Sequence, residues 1–292
     1  MNYRISHRTL YEYDEPVTVS HHAARVKPRV TPVQERATWT LRISPEPAVR
    51  KMRTDYFGNR VCSFSIQELH QRLEIIAECE VGLRPGLPPE PEASPPWEEV
   101  ASALREPVSL ESLDAQQFVF DSPHVRISPA LAALAEPSFT PGRPLLEAVL
   151  DLNHRIHDEF TFDPRATTVA TPLEQVLERR RGVCQDFTHL ALGCLRSLGL
   201  AARYVSGYLR THHGPQQPQL VGADATHAWL SVLCPGYGWV DFDPTNDLMP
   251  RFEHVTVAYG RDFADVSPVS GIITGGGDHR VHVAVHVKPL AP

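Results

Sequence analysis

Residues 84–97 carry six prolines in fourteen positions, Arg84-Pro-Gly-Leu-Pro-Pro-Glu-Pro-Glu-Ala-Ser-Pro-Pro-Trp97. Each proline lacks an N–H and fixes φ, so the run cannot extend a helix or sit inside a sheet, and it favours an extended conformation. It divides the chain into two parts of different hydrophobic period. Before it, Ala37, Trp39, Leu41 and Ile43 alternate with polar residues, as do Leu73, Ile75, Ala77, Cys79 and Val81. Gly58-Asn59 marks a turn between Tyr56 and Val61. Residues 1–84 are therefore expected to form a small antiparallel β-sandwich, with 85–97 as a linker. A spacer is the plain reading of that linker; a proline-motif ligand for another protein is the alternative.

After the run the period lengthens. Residues 98–144 read as short helices joined by loops, and Leu145, Val149, Leu152 and Ile156 fall on one helical stripe that opens a core domain spanning 145–292. Near the end, Gly275-Gly-Gly277 predicts a turn, and Val281, Val283, Val285 and Val287 alternate as a strand. The class is α+β. A chain of 292 residues is long enough for two ordinary domains, each with its own core.

Three short islands in the second part carry chemistry: Arg-Gly-Val-Cys-Gln-Asp-Phe at 181–187, Thr-His-Ala-Trp at 226–229 and Gly-Trp-Val-Asp-Phe-Asp-Pro-Thr at 238–245. Thr171-Pro172-Leu173-Glu174 predicts a capped helix start, with Thr171 as N-cap, Glu174 closing a capping box and Gly182 as the stop. A second helix is expected from about Cys184, with Leu190, Ala191, Leu192, Leu195 and Leu198 on its apolar face. A cysteine at a helix N-terminus meets free N–H groups and the positive end of the dipole, which favour a thiolate and can hold an oxyanion. Residues 225–233 alternate as a strand, Cys234-Pro-Gly-Tyr-Gly turns, and Trp239 to Asp243 returns. Such a hairpin brings His227 near the end of the second strand. Asp241 and Asp243 point to one face, so spacing leaves both open as the partner of the imidazole. Nucleophile, base and orienting carboxylate together make a thiol acyl catalyst.

Cys62, Cys79 and Cys194 read as core residues, and Cys234 as a turn residue. No Cys-x-x-Cys occurs, and His154-x-x-His157 is expected to be a solvated pair, so neither metal nor cofactor is called for. A net charge of −7 and pI near 6.1 argue against nucleic acid. There is no apolar run of membrane-spanning length, no signal peptide follows Met1-Asn-Tyr-Arg-Ile, and the five cysteines are an odd number. These features predict a cytoplasmic protein with free thiols.

The islands resemble the transglutaminase-like core of bacterial proteins, a papain-like fold whose relatives include tissue transglutaminases and microbial thiol proteases and amidases. The likeness extends to Tyr3–Tyr13, to Asp55-Tyr56-Phe57-Gly58-Asn59 and to residues 260–268, as in the bacterial subgroup with an N-terminal β domain. The resemblance implies Cys184 as nucleophile, His227 as general base and then acid, and Asp243, the aspartate directly before Pro-Thr, as orienter. It also implies an oxyanion or substrate contact near the cysteine, for which Gln185, Phe162 and Trp229 are candidates. The calcium sites of animal members have no acidic cluster to carry them here. The expected activity is cleavage of a peptide or protein amide through a thioester, with true transglutamination, or a binding module that keeps the fold without turnover, as alternatives. The β domain is expected to dock the core, wall the cleft or bind a protein partner.

Overall fold

The computed structural model describes residues 1–84, 86, 88–106, 109–210 and 225–290. Its first half is built on one long strand, β1 (Asn2–Ala24), whose pairing changes midway. Strands β2 (Gln34–Ser44), β3 (Val49–Thr54), β4 (Arg60–Ile66) and β5 (His70–Leu83) complete the N-terminal set. The first half of β1 pairs with β5, the second half with β4, and the register shifts between Glu12 and Val17, where Pro16 offers no N–H to a ladder. The sheet order is β2-β5-β1-β4-β3, so the bend in β1 separates two halves. Between them lie Tyr13, Val17, Leu41, Ile43, Phe64, Ile66, Leu73 and Ile75 in one buried cluster. The alternation predicts this antiparallel β structure, which is one large sheet folded about the bend in β1.

The proline run is not bare extended chain. Pro91–Ala93 form a 3-10 turn, and Ser94 is buried, its Oγ accepting from Leu146 N at 2.9 Å. Pro85 and Leu87 of the run lie outside the described residues. Helices α1 (Trp97–Arg105), α2 (Leu110–Gln116) and α3 (Pro129–Ala135) follow, then α4 (Leu145–Glu159), which starts where the stripe predicts. Val100, Leu104, Leu131 and Leu134 are buried with the central helix, so residues 98–144 belong to the core's packing and are more than a connection.

The remaining elements are β6 (Thr161–Phe162), α5 (Leu173–Arg179), β7 (Arg181–Gly182), α6 (Cys184–Ser197), β8 (Ala202–Leu209), β9 (His227–Cys234), β10 (Gly238–Phe242), β11 (His254–Gly260) and α7 (Phe263–Val266), followed by β12 (Val269–Gly275) and β13 (His279–Pro289). Helix α6, buried from Asp186 to Arg196, lies against a sheet of order β10-β9-β8-β11. The polypeptide is therefore α+β, as the sequence predicts.

Two expectations about domains need correction. Strands β12 and β13, expected within the 145–292 core, pair with β1 and complete the N-terminal sheet. Nor are the cores separate: Tyr3, Ile5, Val81, Leu83, Val285 and Val287 are buried in the same cluster as α4, α6 and β8–β11. Side chains from the N-terminal half also dock on β11. Asn59 donates to Tyr259 O (2.7 Å) and accepts from Tyr259 N (2.9 Å), and Gln34 does the same with Thr256 O and N (2.7 and 2.8 Å). Pattern alone cannot reveal such pairings, because an alternating strand fits any sheet with an open edge.

Candidate active site

Helix α5 sets the approach to the cysteine, though not as its sequence suggests. Pro172 is the N-cap, and Thr171 Oγ1 accepts from Thr168 N at 2.9 Å instead of capping. The helix stops at Arg180, which takes the left-handed conformation (φ 53°), and not at Gly182. Gly182 serves another need: a Cβ there would lie 2.6 Å from Asp186 Oδ2. The bare backbone lets Asp186 fold back onto Val183 N–H (2.8 Å) and Thr167 Oγ1 (2.6 Å). Burial raises the Asp186 pKa, and these two hydrogen bonds oppose the rise. With Asp186 N and Phe187 N donating to Val183 O, the N–H groups of Cys184 and Gln185 remain as free donors of the first turn.

Cys184 is thus the first residue of α6, as expected, and half-buried. The other four cysteines are buried, Cys234 as the last residue of β9 and not in the turn. Burial pushes the thiols of Cys79 and Cys194 up to about 12 and that of Cys234 up to about 11. Iodoacetamide at pH 6, followed by peptide mapping of the native protein, is expected to label Cys184 well before the rest. Equal labelling of all five would contradict this assignment.

His227 opens β9, paired with Gly207 of β8. Its Nε2 lies 2.8 Å from Asp243 Oδ2, and both side chains are closed to solvent. Burial lowers the imidazole pKa, but the Asp243 carboxylate outweighs it and Cys184 adds to the lift, giving about 10. Nδ1 has no well-formed hydrogen bond, yet Cys184 is close enough to act on the ring as a partner. Catalytic hydrogen bonds often tighten only around substrate. Asp243, despite its burial, is held well below the usual carboxylate range by His227 and His254.

His254 carries no sequence signal. It sits on β11, two strands from His227, and its Nε2 meets Asp243 Oδ2 at 2.9 Å. Asp243 also accepts from Thr245 N (3.0 Å) and Asn246 Nδ2 (2.8 Å). The loop after it is anchored to α4: His154 Nδ1 meets Asp247 Oδ2 at 2.7 Å and His157 Nδ1 meets Thr245 O at 3.0 Å. Both histidines are exposed, as expected, and they also brace the loop after Asp243. His227, Asp243 and His254 each offer a ligand atom within 4.8 Å of the others, and both imidazole Nε2 atoms hydrogen-bond to Asp243 Oδ2.

Asp241 has a different task. It accepts from Trp229 Nε1 at 3.0 Å and from Ser231 Oγ, tying the hairpin together. Gly207 makes room for this arrangement, since a Cβ would lie 2.4 Å from Trp229 Cη2. The indole ring then meets His254 edge-on at 5.0 Å.

Residues 3–82 match the bacterial transglutaminase-like N-terminal region, and residues 132–244 match the Transglutaminase-like superfamily. The chain belongs to that superfamily. An uncharacterized protein of Mycobacterium tuberculosis is 40% identical over 296 residues, covering 99% of this chain and 93% of its own. A protein-glutamine gamma-glutamyltransferase of Pseudomonas aeruginosa is 30% identical over 93 residues, 32% of this chain and 14% of its own. Among solved structures, a proposed cysteine protease from Cytophaga hutchinsonii superposes with a TM-score of 0.76 at 22% identity, covering 100% of this chain and 93% of that one. That likeness supports the fold.

Within this transglutaminase-like core the three oxyanion or substrate candidates separate. Trp229 is fully buried and its N–H is committed to Asp241. Phe162, on β6, pairs in register with Gly182, close to the nucleophile in the chain, but its ring has no donor. Gln185, half-buried in the first turn of α6, retains an amide N–H₂ group. His254 is expected to act through Asp243. Replacing it by Leu removes a donor to a buried carboxylate and should lower kcat about 10- to 100-fold with KM little changed, whereas Gln should restore part of the loss. Steady-state kinetics on variants with native near-UV circular dichroism test this, and an unchanged kcat in His254→Leu contradicts it.

Proposed function

We propose that this chain is a thiol hydrolase of peptide or protein amides, with Cys184 as nucleophile, His227 as general base and acid, and Asp243 as orienter. One observation carries the reading: His227 gives Nε2 to Asp243 at 2.8 Å and leaves Nδ1 for Cys184, which begins the neighbouring helix and interacts with the ring. The Cys184 sulfur, its proton already ceded to the imidazole of His227, attacks the amide carbonyl. The resulting oxyanion is held by the N–H groups of Cys184 and Gln185, with the Gln185 side chain as a further donor. His227 then protonates the leaving amine, the C–N bond breaks, and a thioester remains. Water attacks the thioester as His227 takes its proton, the acid leaves, and the thiol is restored. Asp243 stays ionised throughout and stabilises the imidazolium.

Hydrolysis asks less of the site than transfer, because water needs no acceptor pocket. The gamma-glutamyltransferase relative favours a second reading, transfer of the acyl group to an amine. Adding a millimolar lysine analogue during turnover separates the two. Hydrolysis predicts release of acid and amine at a nearly constant rate with little adduct; saturable, Cys184-dependent adduct formation at the expense of hydrolysis would establish the transferase. No helix among the described residues is long and apolar enough to cross a membrane. Five free cysteines suit a reducing compartment, and we assign the protein to the cytoplasm on that ground.

A further inference from the structure

We propose that the cavity between the N-terminal half and strands β10 and β11 binds a small organic carboxylate. This cavity, about 570 Å³, is lined in part by His254 but not by Cys184, His227 or Asp243. Its volume lies in the range that small organic ligands occupy.

Arg203 stands at the centre of this cavity's wall. Its guanidinium is sandwiched between the rings of Trp239 (4.2 Å) and Tyr259 (3.6 Å). Stacking satisfies the faces of the guanidinium but none of its in-plane N–H donors. Nε is buried and unpaired, and no described residue accepts from the terminal nitrogens. Arg29, stacked on the same Tyr259 at 4.4 Å, spends Nη1 on Phe57 O and Asn59 Oδ1 (3.1 and 2.6 Å), and its Nε is also buried without an acceptor. His254 Nδ1 is a third such atom. All three residues line this one cavity. Those three atoms are sealed from solvent, whereas the Arg203 terminal nitrogens, which have no acceptor among the described residues, are not, and they are the donors that a ligand in this space would complete.

Charge and shape specify the ligand. Arg29, Arg203 and the exposed Arg251 face a single carboxylate, Asp241, which is already committed to Trp229 and Ser231. The fork of an arginine fits a planar carboxylate with two parallel hydrogen bonds. Pro32, Tyr237 and Pro250 complete the wall with apolar surface, which suits an organic body and gives a bare inorganic anion nothing to cover. Phosphate shares the arginine chemistry and is the alternative that the test separates.

The test uses the full chain carrying Cys184→Ala, so that binding at the thiol cannot contribute and the outcome is independent of the proposed reaction. Isothermal titration calorimetry with benzoate is expected to give saturable binding. The neutral isostere benzamide should bind at least about tenfold more weakly, as the loss of a charge-assisted pair requires. Adding Arg203→Gln should weaken benzoate by about tenfold or more, and Arg251→Gln, at the exposed rim, by about threefold. Circular dichroism checks that each variant is folded; Arg251→Gln keeps the proposal testable should Arg203→Gln not fold. Absence of saturable benzoate binding at millimolar concentration, benzamide as tight as benzoate, variants that bind like the parent, or inorganic phosphate tighter than benzoate would each overturn it.

Discussion

Asn in place of Asp243 is expected to lower kcat by about 10,000-fold while leaving the fold intact. The reason is electrostatic as well as geometric. Asp243 accepts from His227 Nε2, His254 Nε2, Asn246 Nδ2 and Thr245 N, so its charge is shared by two buried imidazoles. An amide there can offer its NH₂ to His227, which selects the wrong tautomer and leaves the thiol without a base. Asp241→Asn should cost no more than about tenfold, because Asp241 ties Trp229 and Ser231 and does not touch His227. Kinetics on the two variants decide the matter, and the reverse ranking would move the orienting role to Asp241. The same substitution has a signature in stability. A pKa of His227 raised from 6.5 to about 10 contributes stability that is full below about pH 6.5 and disappears as pH rises through about 10. Asp243→Asn removes the main cause of the lift, so Tm should fall more between pH 7 and 10 in the parent than in the variant.

The positions of Cys184, His227 and both candidate aspartates were legible because each lies in a local pattern: a helix start, and two strands of one hairpin. Gln185 was suggested by its place next to the cysteine and Phe162 by the family resemblance, and the two differ in that only the Gln185 side chain has a donor. His254 was not legible. It lies in an apolar strand, and only the order β9-β8-β11 carries it back to Asp243. The brace formed by His154 and His157 was missed for the same reason, since its acceptors lie about ninety residues on. Strands β12 and β13 return to β1 across almost the whole chain, a pairing that alternation permits but does not specify. Thr171 shows a local rule losing to a local competitor: its hydroxyl had a nearer backbone donor in Thr168 than in the helix it was expected to cap.

Removing the Cys184 sulfur is expected to have the largest effect of any single change, a loss of roughly a million-fold in turnover, because no other group can form the acyl bond. The four remaining cysteines are buried and cannot take over. Intact-protein mass spectrometry after rapid acid quench, during incubation with peptide amide libraries, tests the central claim most directly. The expected result is an added acyl mass that maps to Cys184, decays with turnover, and is absent from Cys184→Ala. Amide cleavage that persists in Cys184→Ala, or an acyl group mapped to any other residue, would contradict it.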